Sequence, residues 1–174
     1  LVGSEMCIRD RFEYVNDIFE REYIGYRFID EIIVPISDKY EVETIDKAVQ
    51  NRYKPVREHI SKANVLISDR ENPDYENSIK ESISAVEAIC SIVTESKGKD
   101  ATLGKMLKKL KDNSVNIHPA LEAAFSSLYG YTSDASGIRH AKFLEQGKTT
   151  FEEAKFMLVA CSAFVNYIIG ICAD

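Results

Sequence analysis

The chain has 174 residues, of which 45% are hydrophobic and 29% are charged, so it is long enough to bury the core of one ordinary domain. Its 8 glycines and 4 prolines are too few for a fibrous or disordered protein. Its net charge of −6 argues against binding nucleic acid or anionic membranes through overall charge, and only a local basic patch would override that total.

The four cysteines stand at positions 7, 90, 161 and 172, without the CxxC spacing of a zinc or redox site. Three of them lie in apolar helical runs. This usage is typical of buried thiols in a reducing compartment, so we expect a soluble, cytoplasmic protein.

Residues 1–10 read LVGSEMCIRD and lack the apolar stretch of a signal peptide. Back-translated, they reproduce a DNA sequence common in transposase-based sequencing adapters, and the codon that follows fits Arg11. We therefore predict that residues 1–10 are an assembly artefact, and that a native segment upstream of Arg11 is missing.

Residues 11–51 are predicted to form an N-terminal unit of helix, hairpin and helix. Apolar residues from Phe12 to Tyr23 recur at helical spacing, and Gly25 ends this short amphipathic helix. Two β-branched and aromatic runs around Asp30-Glu31 predict a small hairpin, which ends near Pro35. A polar helix over 41–50 follows.

Residues 52–174 are predicted to form a helical bundle. Pro55 begins a helix that ends near Asp69. Asn72-Pro73 is predicted to cap the next helix, which runs to about Ser96. One face of this helix is apolar and is expected in the core; it carries Tyr75, Ile79, Ile83, Val86, Ile89, Cys90 and Val93.

Three further helices complete the predicted bundle. One begins at Thr102 and exposes its lysines, and another runs from Pro119 through Leu128. Residues 130–146 are rich in Gly, Ser, Thr and Asp and are predicted to be a loop. Thr150 and Glu153 then form a capping box for the last helix.

The last helix contains the most apolar stretch of the chain, Met157 to Cys172. This stretch is shorter than the ~20 residues that a bilayer requires, so we expect a core helix and no membrane partner. Because it is apolar nearly all round, we expect neighbouring helices on every side of it, with Phe164 buried.

The predicted loop before the last helix carries the candidate catalytic residues, Arg139 and His140. Irregular segments on a rigid scaffold often display functional side chains. If the protein is an enzyme, His140 would act as acid or base and Arg139 would stabilise an anion, without a metal. The structural alternative is a polar cluster in which these loop residues meet bundle carboxylates; its members are Glu81, Glu87, Asp134, Arg139 and His140.

The other basic residues indicate no site. Arg57 and His59 diverge around their helix and are predicted to be solvated. The six lysines between Lys97 and Lys111 alternate with core leucines and read as a solvated face. His59, His118 and His140 are far apart in sequence, so we expect neither a metal nor a cofactor.

Three segments resemble the HEPN-like domain of AbiJ-type abortive-infection proteins, the fourth such type. They are NPDYENSIKESISAVEAICSIVTESKGKDATLGKMLKKLK, IHPALEAAFSSLYGYTSDASGIRHA and FEEAKFMLVACSAFVNYIIG; the earlier GYRFIDEIIVPIS and YKPVREHISKANVLISDRENPDY also look like this family. The resemblance implies a mainly α fold, a HEPN-like helical bundle with a small N-terminal β-hairpin attachment, often dimeric, in a bacterial phage-defence protein.

Many HEPN domains are metal-independent RNases whose signature is Arg, four to six residues, then His. Here Arg139 and His140 are adjacent, which departs from that spacing. Arg52 and His59 meet the spacing but precede the bundle, where the signature is not expected. The first hypothesis is therefore a non-catalytic module for binding, sensing or homodimerisation, and the alternative is a divergent metal-independent RNase toxin that acts on RNA.

Overall fold

A computed structural model describes residues 3–96, 102–112, 117–133 and 149–172 of the chain. The described part is mainly α, with a small antiparallel hairpin near the N-terminus, as predicted. Its elements in chain order are α1 (Gly3–Arg21), β1 (Arg27–Ile29), β2 (Ile32–Val34), α2 (Lys39–Val49), α3 (Lys54–Ser68), α4 (Tyr75–Thr94), α5 (Leu103–Asp112), α6 (Pro119–Ser133) and α7 (Phe151–Ile171).

The first helix, α1, is longer than the predicted helix from Phe12 onward, because it begins at Gly3. It is tied to the hairpin through Asn16. The Asn16 amide donates to the Phe28 carbonyl at 3.0 Å and accepts from the Phe28 N–H at 2.7 Å. The Asn16 side chain thus pairs with the backbone N–H and carbonyl of Phe28 on the outer edge of β1, as a third strand would.

The hairpin pairs Arg27 with Val34 and Ile29 with Ile32. Its two turn residues, Asp30 and Glu31, have φ of 49° and 64°. Two-residue hairpin turns require such positive φ values, and residues other than Gly and Asn adopt them at some cost in free energy. The hydroxyl of Ser61 on α3 donates to the Asp30 carboxylate at 2.6 Å and holds this turn against the bundle.

The pair α3 and α4 forms an antiparallel helical hairpin. Its predicted apolar stripe is confirmed, with Ile79, Ile83, Val86, Ile89 and Cys90 buried. The predicted cap is wrong by two residues: Asp74 rather than Asn72 is the N-cap, and its carboxylate accepts from the Asn77 N–H. The Ser78 hydroxyl donates to the Ala63 carbonyl at 2.9 Å and fixes the register of the two helices.

Helix α6 extends to Ser133, five residues beyond the predicted end at Leu128, so residues 130–133 are helical rather than part of a loop. The Tyr131 hydroxyl donates to the carboxylate of Glu153, at the start of α7, at 2.9 Å. This contact offers a reason for the extra turn, because it joins the end of α6 to the beginning of α7.

The last helix, α7, begins with the predicted capping box, since the Thr150 hydroxyl and the Glu153 carboxylate satisfy each other's backbone N–H groups. Phe164 is 2% exposed, as predicted. The expectation that α7 is covered on every side is wrong, because Phe156 is 58% exposed and Ala163 and Gly170 are exposed on the same side.

With 21 residues, α7 is the one helix of the described ranges that is long and apolar enough to cross a bilayer by length and composition. Eight of its residues are nevertheless buried among the other helices: Ala154, Met157, Leu158, Cys161, Ser162, Phe164, Val165 and Ile168. This packing is that of a core helix.

Candidate functional site

The residues proposed from the sequence divide into two groups. Asp134, Arg139 and His140 lie outside the residues that the structure describes. Glu81 and Glu87 lie on α4, and both are partly buried at the edge of the core. Whether Arg139 meets either carboxylate therefore stays a prediction.

Glu81 is the centre of a polar cluster that connects α3 to α4. One of its carboxylate oxygens lies 2.7 Å from Nδ1 of His59, and the other accepts a hydrogen bond from the ammonium group of Lys62. The Glu81 side chain is only 16% exposed. The prediction that His59 is a solvated residue at the start of its helix is wrong, since it is part-buried and bonded.

Burial raises the pKa of the Glu81 carboxyl, but the hydrogen bonds and positive charges of Lys62 and His59 together outweigh this effect. The pKa of Glu81 therefore lies below its ordinary value, and the carboxylate is charged at neutral pH. An ionised carboxylate that holds His59 through Nδ1 orients the ring, and this pairing is also found in catalytic sites.

This cluster was missed because it depends on how two helices pair. In an antiparallel helical hairpin, residues equally distant from the connecting loop lie opposite each other. His59 and Glu81 stand on either side of residue 70, in the same way as Ala63 and Ser78. The spacing of His59 and Glu81 therefore contained this signal. Reading it required the position of the loop between α3 and α4 and the residue at which α4 begins.

The remaining basic candidates are engaged locally or face solvent. The Arg52 guanidinium donates to the Tyr53 hydroxyl at 2.8 Å and lies over the Tyr53 ring, so it is not paired with His59. Lys108 and Lys109 on α5 are exposed, as predicted for a solvated face. His118 accepts a hydrogen bond from the Ala120 N–H at the start of α6.

The cysteines within the described side chains are free thiols, and Cys90 and Cys161 are buried. Burial raises the pKa of each of these two thiols to about 12. A thiol that is protonated at neutral pH is a poor nucleophile, so these two residues behave as core side chains.

The outer face of α7, defined here as Phe156, Val159, Ala160, Ala163, Tyr167 and Gly170, is the second notable surface. On one side of this face, the Asn166 amide donates to the Thr44 carbonyl of α2 at 2.9 Å. On the other side, Phe164 packs on Phe125 of α6. The outer face thus lies between α2 and α6, and no charged residue occurs from Phe156 to Gly170.

Comparison with known families identifies the N-terminal part of the chain. The family model described as AbiJ N-terminal domain 4 matches residues 5–51, which cover α1, the hairpin and α2. No curated protein and no solved structure matches the chain significantly. The match begins at residue 5, inside the ten residues predicted to be an adapter artefact, so the origin of those residues stays a prediction. It ends at residue 51, before the bundle, so the HEPN-like character of residues 52–174 stays a prediction as well.

The matched segment associates the chain with abortive infection, as the resemblance implied. Residues 5–51 of this chain therefore match the N-terminal domain of AbiJ-type proteins, of the fourth type.

Proposed function

We propose that this chain is a HEPN-like module of a cytoplasmic abortive-infection protein, which forms a homodimer and contributes binding or sensing rather than catalysis. The observation that carries the proposal is the outer face of α7. It supports dimerisation because an apolar helix face that stays exposed on a folded domain is typical of an interaction site.

A second copy of the chain fits this face better than a charged partner does. The chain carries a net charge of −6, so two copies repel each other through most of their surfaces. The outer face of α7 contains no charge to repel its own image across a two-fold axis. Ala160, Ala163 and Gly170 also leave room for two helices to approach closely, since a side chain at Gly170 would meet nothing within 4 Å.

The test is the molar mass of the protein by light scattering at concentrations from 1 to about 100 micromolar, a range that covers ordinary dimer affinities. We expect a dimer for the wild type and a monomer for Ala163→Glu, which places a charge in the centre of the face. Val65→Glu is the matched control, because Val65 is 51% exposed on α3, and this variant should remain dimeric.

A monomeric wild type, or an Ala163→Glu variant that stays dimeric, would overturn the dimer proposal. The catalytic hypothesis is tested separately by incubating the protein with RNA in the presence of EDTA. Cleavage that is lost in His140→Ala and retained in His118→Ala would replace the non-catalytic module with the RNase toxin.

A further inference from the structure

A groove of about 650 Å³ lies between α1, the hairpin and α2, within the segment that matches the AbiJ family model. Its apolar floor is formed by Phe12, Phe28 and Val42, which are all half-buried. Phe12 and Phe28 pack on each other with ring centroids 4.7 Å apart. The floor therefore offers apolar surface that the chain itself leaves partly open to water.

The walls of the groove are strongly acidic. Nine charged side chains line it; the two basic ones are Arg27 and Lys39, and the seven acidic ones are Glu13, Asp17, Glu20, Asp30, Glu31, Glu43 and Asp46. The guanidinium of Arg27 is buried and donates to the backbone carbonyls of Ile24 and Tyr26, at 2.7 and 2.8 Å. Lys39 lies 3.9 Å from Glu43. The groove thus carries a large excess of negative charge.

These carboxylates are spread along the groove rather than gathered at one point. Glu13, Asp17 and Glu20 follow each other at helical spacing along α1, and Glu43 and Asp46 do the same along α2. Within the described residues, no three of the carboxylate, His or Cys side chains come close enough together to hold a metal ion. The arrangement therefore suits a ligand with several separated positive charges.

The dimensions of the groove correspond to those of an α-helix. The α2 wall extends from Lys39 to Gln50, or roughly 16 Å at 1.5 Å per residue, which is three helical turns. The groove, with a free volume of about 650 Å³, is therefore long enough for one side of a three-turn helix, whose other side would stay in water.

We propose that this groove binds a basic amphipathic helix of a partner protein. The apolar side of that helix packs on Phe12, Phe28 and Val42, and its flanking lysines or arginines pair with the carboxylates of α1 and α2. Charge complementarity and the half-open apolar floor both select this occupant over nucleic acid, which the acidic walls repel. No residue of α7 lines the groove, so this inference goes beyond the dimer proposal and is independent of it.

The test measures the anisotropy of a fluorescein-labelled 14-residue peptide of leucine and lysine, arranged so that one helical face is apolar. We expect it to bind the full chain, with an affinity that falls as NaCl is raised. The double variant Asp17→Asn/Glu20→Gln should weaken binding about tenfold, since two exposed ion pairs are lost. Neither Asp17 nor Glu20 has an ion-pair partner in the described part of the chain, so the fold should be unaffected.

The matched control is Glu58→Gln/Glu71→Gln, which removes the same charge from exposed positions outside the groove and should leave the affinity unchanged. Equal weakening in both double variants would show that the peptide is attracted by general charge alone, and would overturn the proposal. Binding of an all-lysine peptide as tight as that of the amphipathic one would overturn it as well, because the floor would then contribute nothing. The monomer variant Ala163→Glu should bind the peptide normally, which separates this test from that of the dimer.

Discussion

At the scale of single residues, the carboxylate of Glu81 links the pH to the stability of the α3–α4 pair. Its pKa is lowered below the ordinary value of 4.5 by Lys62 and His59, against the opposing effect of burial. A carboxyl whose pKa is lower in the folded state than in the unfolded state stabilises the fold fully above its unfolded pKa. That contribution is lost as the pH falls through the lower, folded pKa.

We therefore expect Glu81→Gln to reduce the free energy of unfolding at pH 7 but not at strongly acidic pH. Urea unfolding of wild type and variant from pH 7 down to pH 3 should give two curves that converge as the pH falls below about 4.5. Glu58→Gln is the control, because Glu58 is exposed and pairs with the exposed Lys54, at 3.5 Å. A constant difference between Glu81→Gln and wild type at all pH values would contradict the link.

At the scale of elements, the two sides of α7 have different roles. One phenylalanine on each side allows these roles to be tested separately. Phe164 is 2% exposed and Phe156 is 58% exposed. Truncation of a buried phenylalanine removes apolar contacts and leaves a cavity. Truncation of an exposed one does neither within a single protomer.

Phe164→Ala should lower the free energy of unfolding by ~3–5 kcal/mol at every protein concentration. Phe156→Ala should have an effect of less than about 1 kcal/mol in dilute solution and a larger one only where the dimer forms. The measurement is urea unfolding, followed by circular dichroism at several protein concentrations. Similar losses for both variants in dilute solution would mean that the two sides of α7 are not distinguished as described.

Most helices were predictable because their apolar residues repeat at helical spacing, as Ile79, Ile83 and Val86 do on α4. The exposed side of α7 was not predictable, because the sequence shows that a residue is apolar but not whether a neighbouring helix covers it. Phe156 shows this limit clearly. The Glu81 cluster was not predicted for another reason. The register of two helices brings His59 and Glu81 together, and the apolar pattern of a single helix does not contain that register.

At the scale of the whole molecule, the matched N-terminal segment and the bundle share one hydrophobic core. Ile29 and Val34 of the hairpin and Ile45 of α2 belong to the same buried cluster as Phe164 of α7. Polar contacts cross the predicted boundary at residues 51 and 52 as well. The Asn166 amide of α7 donates to the α2 backbone, and the ammonium of Lys155 lies 3.5 Å from the Glu41 carboxylate.

Because the core is continuous, we expect residues 52–174 to depend on the preceding elements for their stability. Urea unfolding of the full chain should show one transition, with the same midpoint for far-UV circular dichroism and tyrosine fluorescence. Without residues 1–51, the parts of α3 and α7 that pack on the hairpin and α2 would be left in water. The chain 52–174 alone should therefore lack cooperative unfolding and aggregate. Two separate transitions in the full chain, or a stable and cooperative fragment, would show instead that the two parts are independent domains.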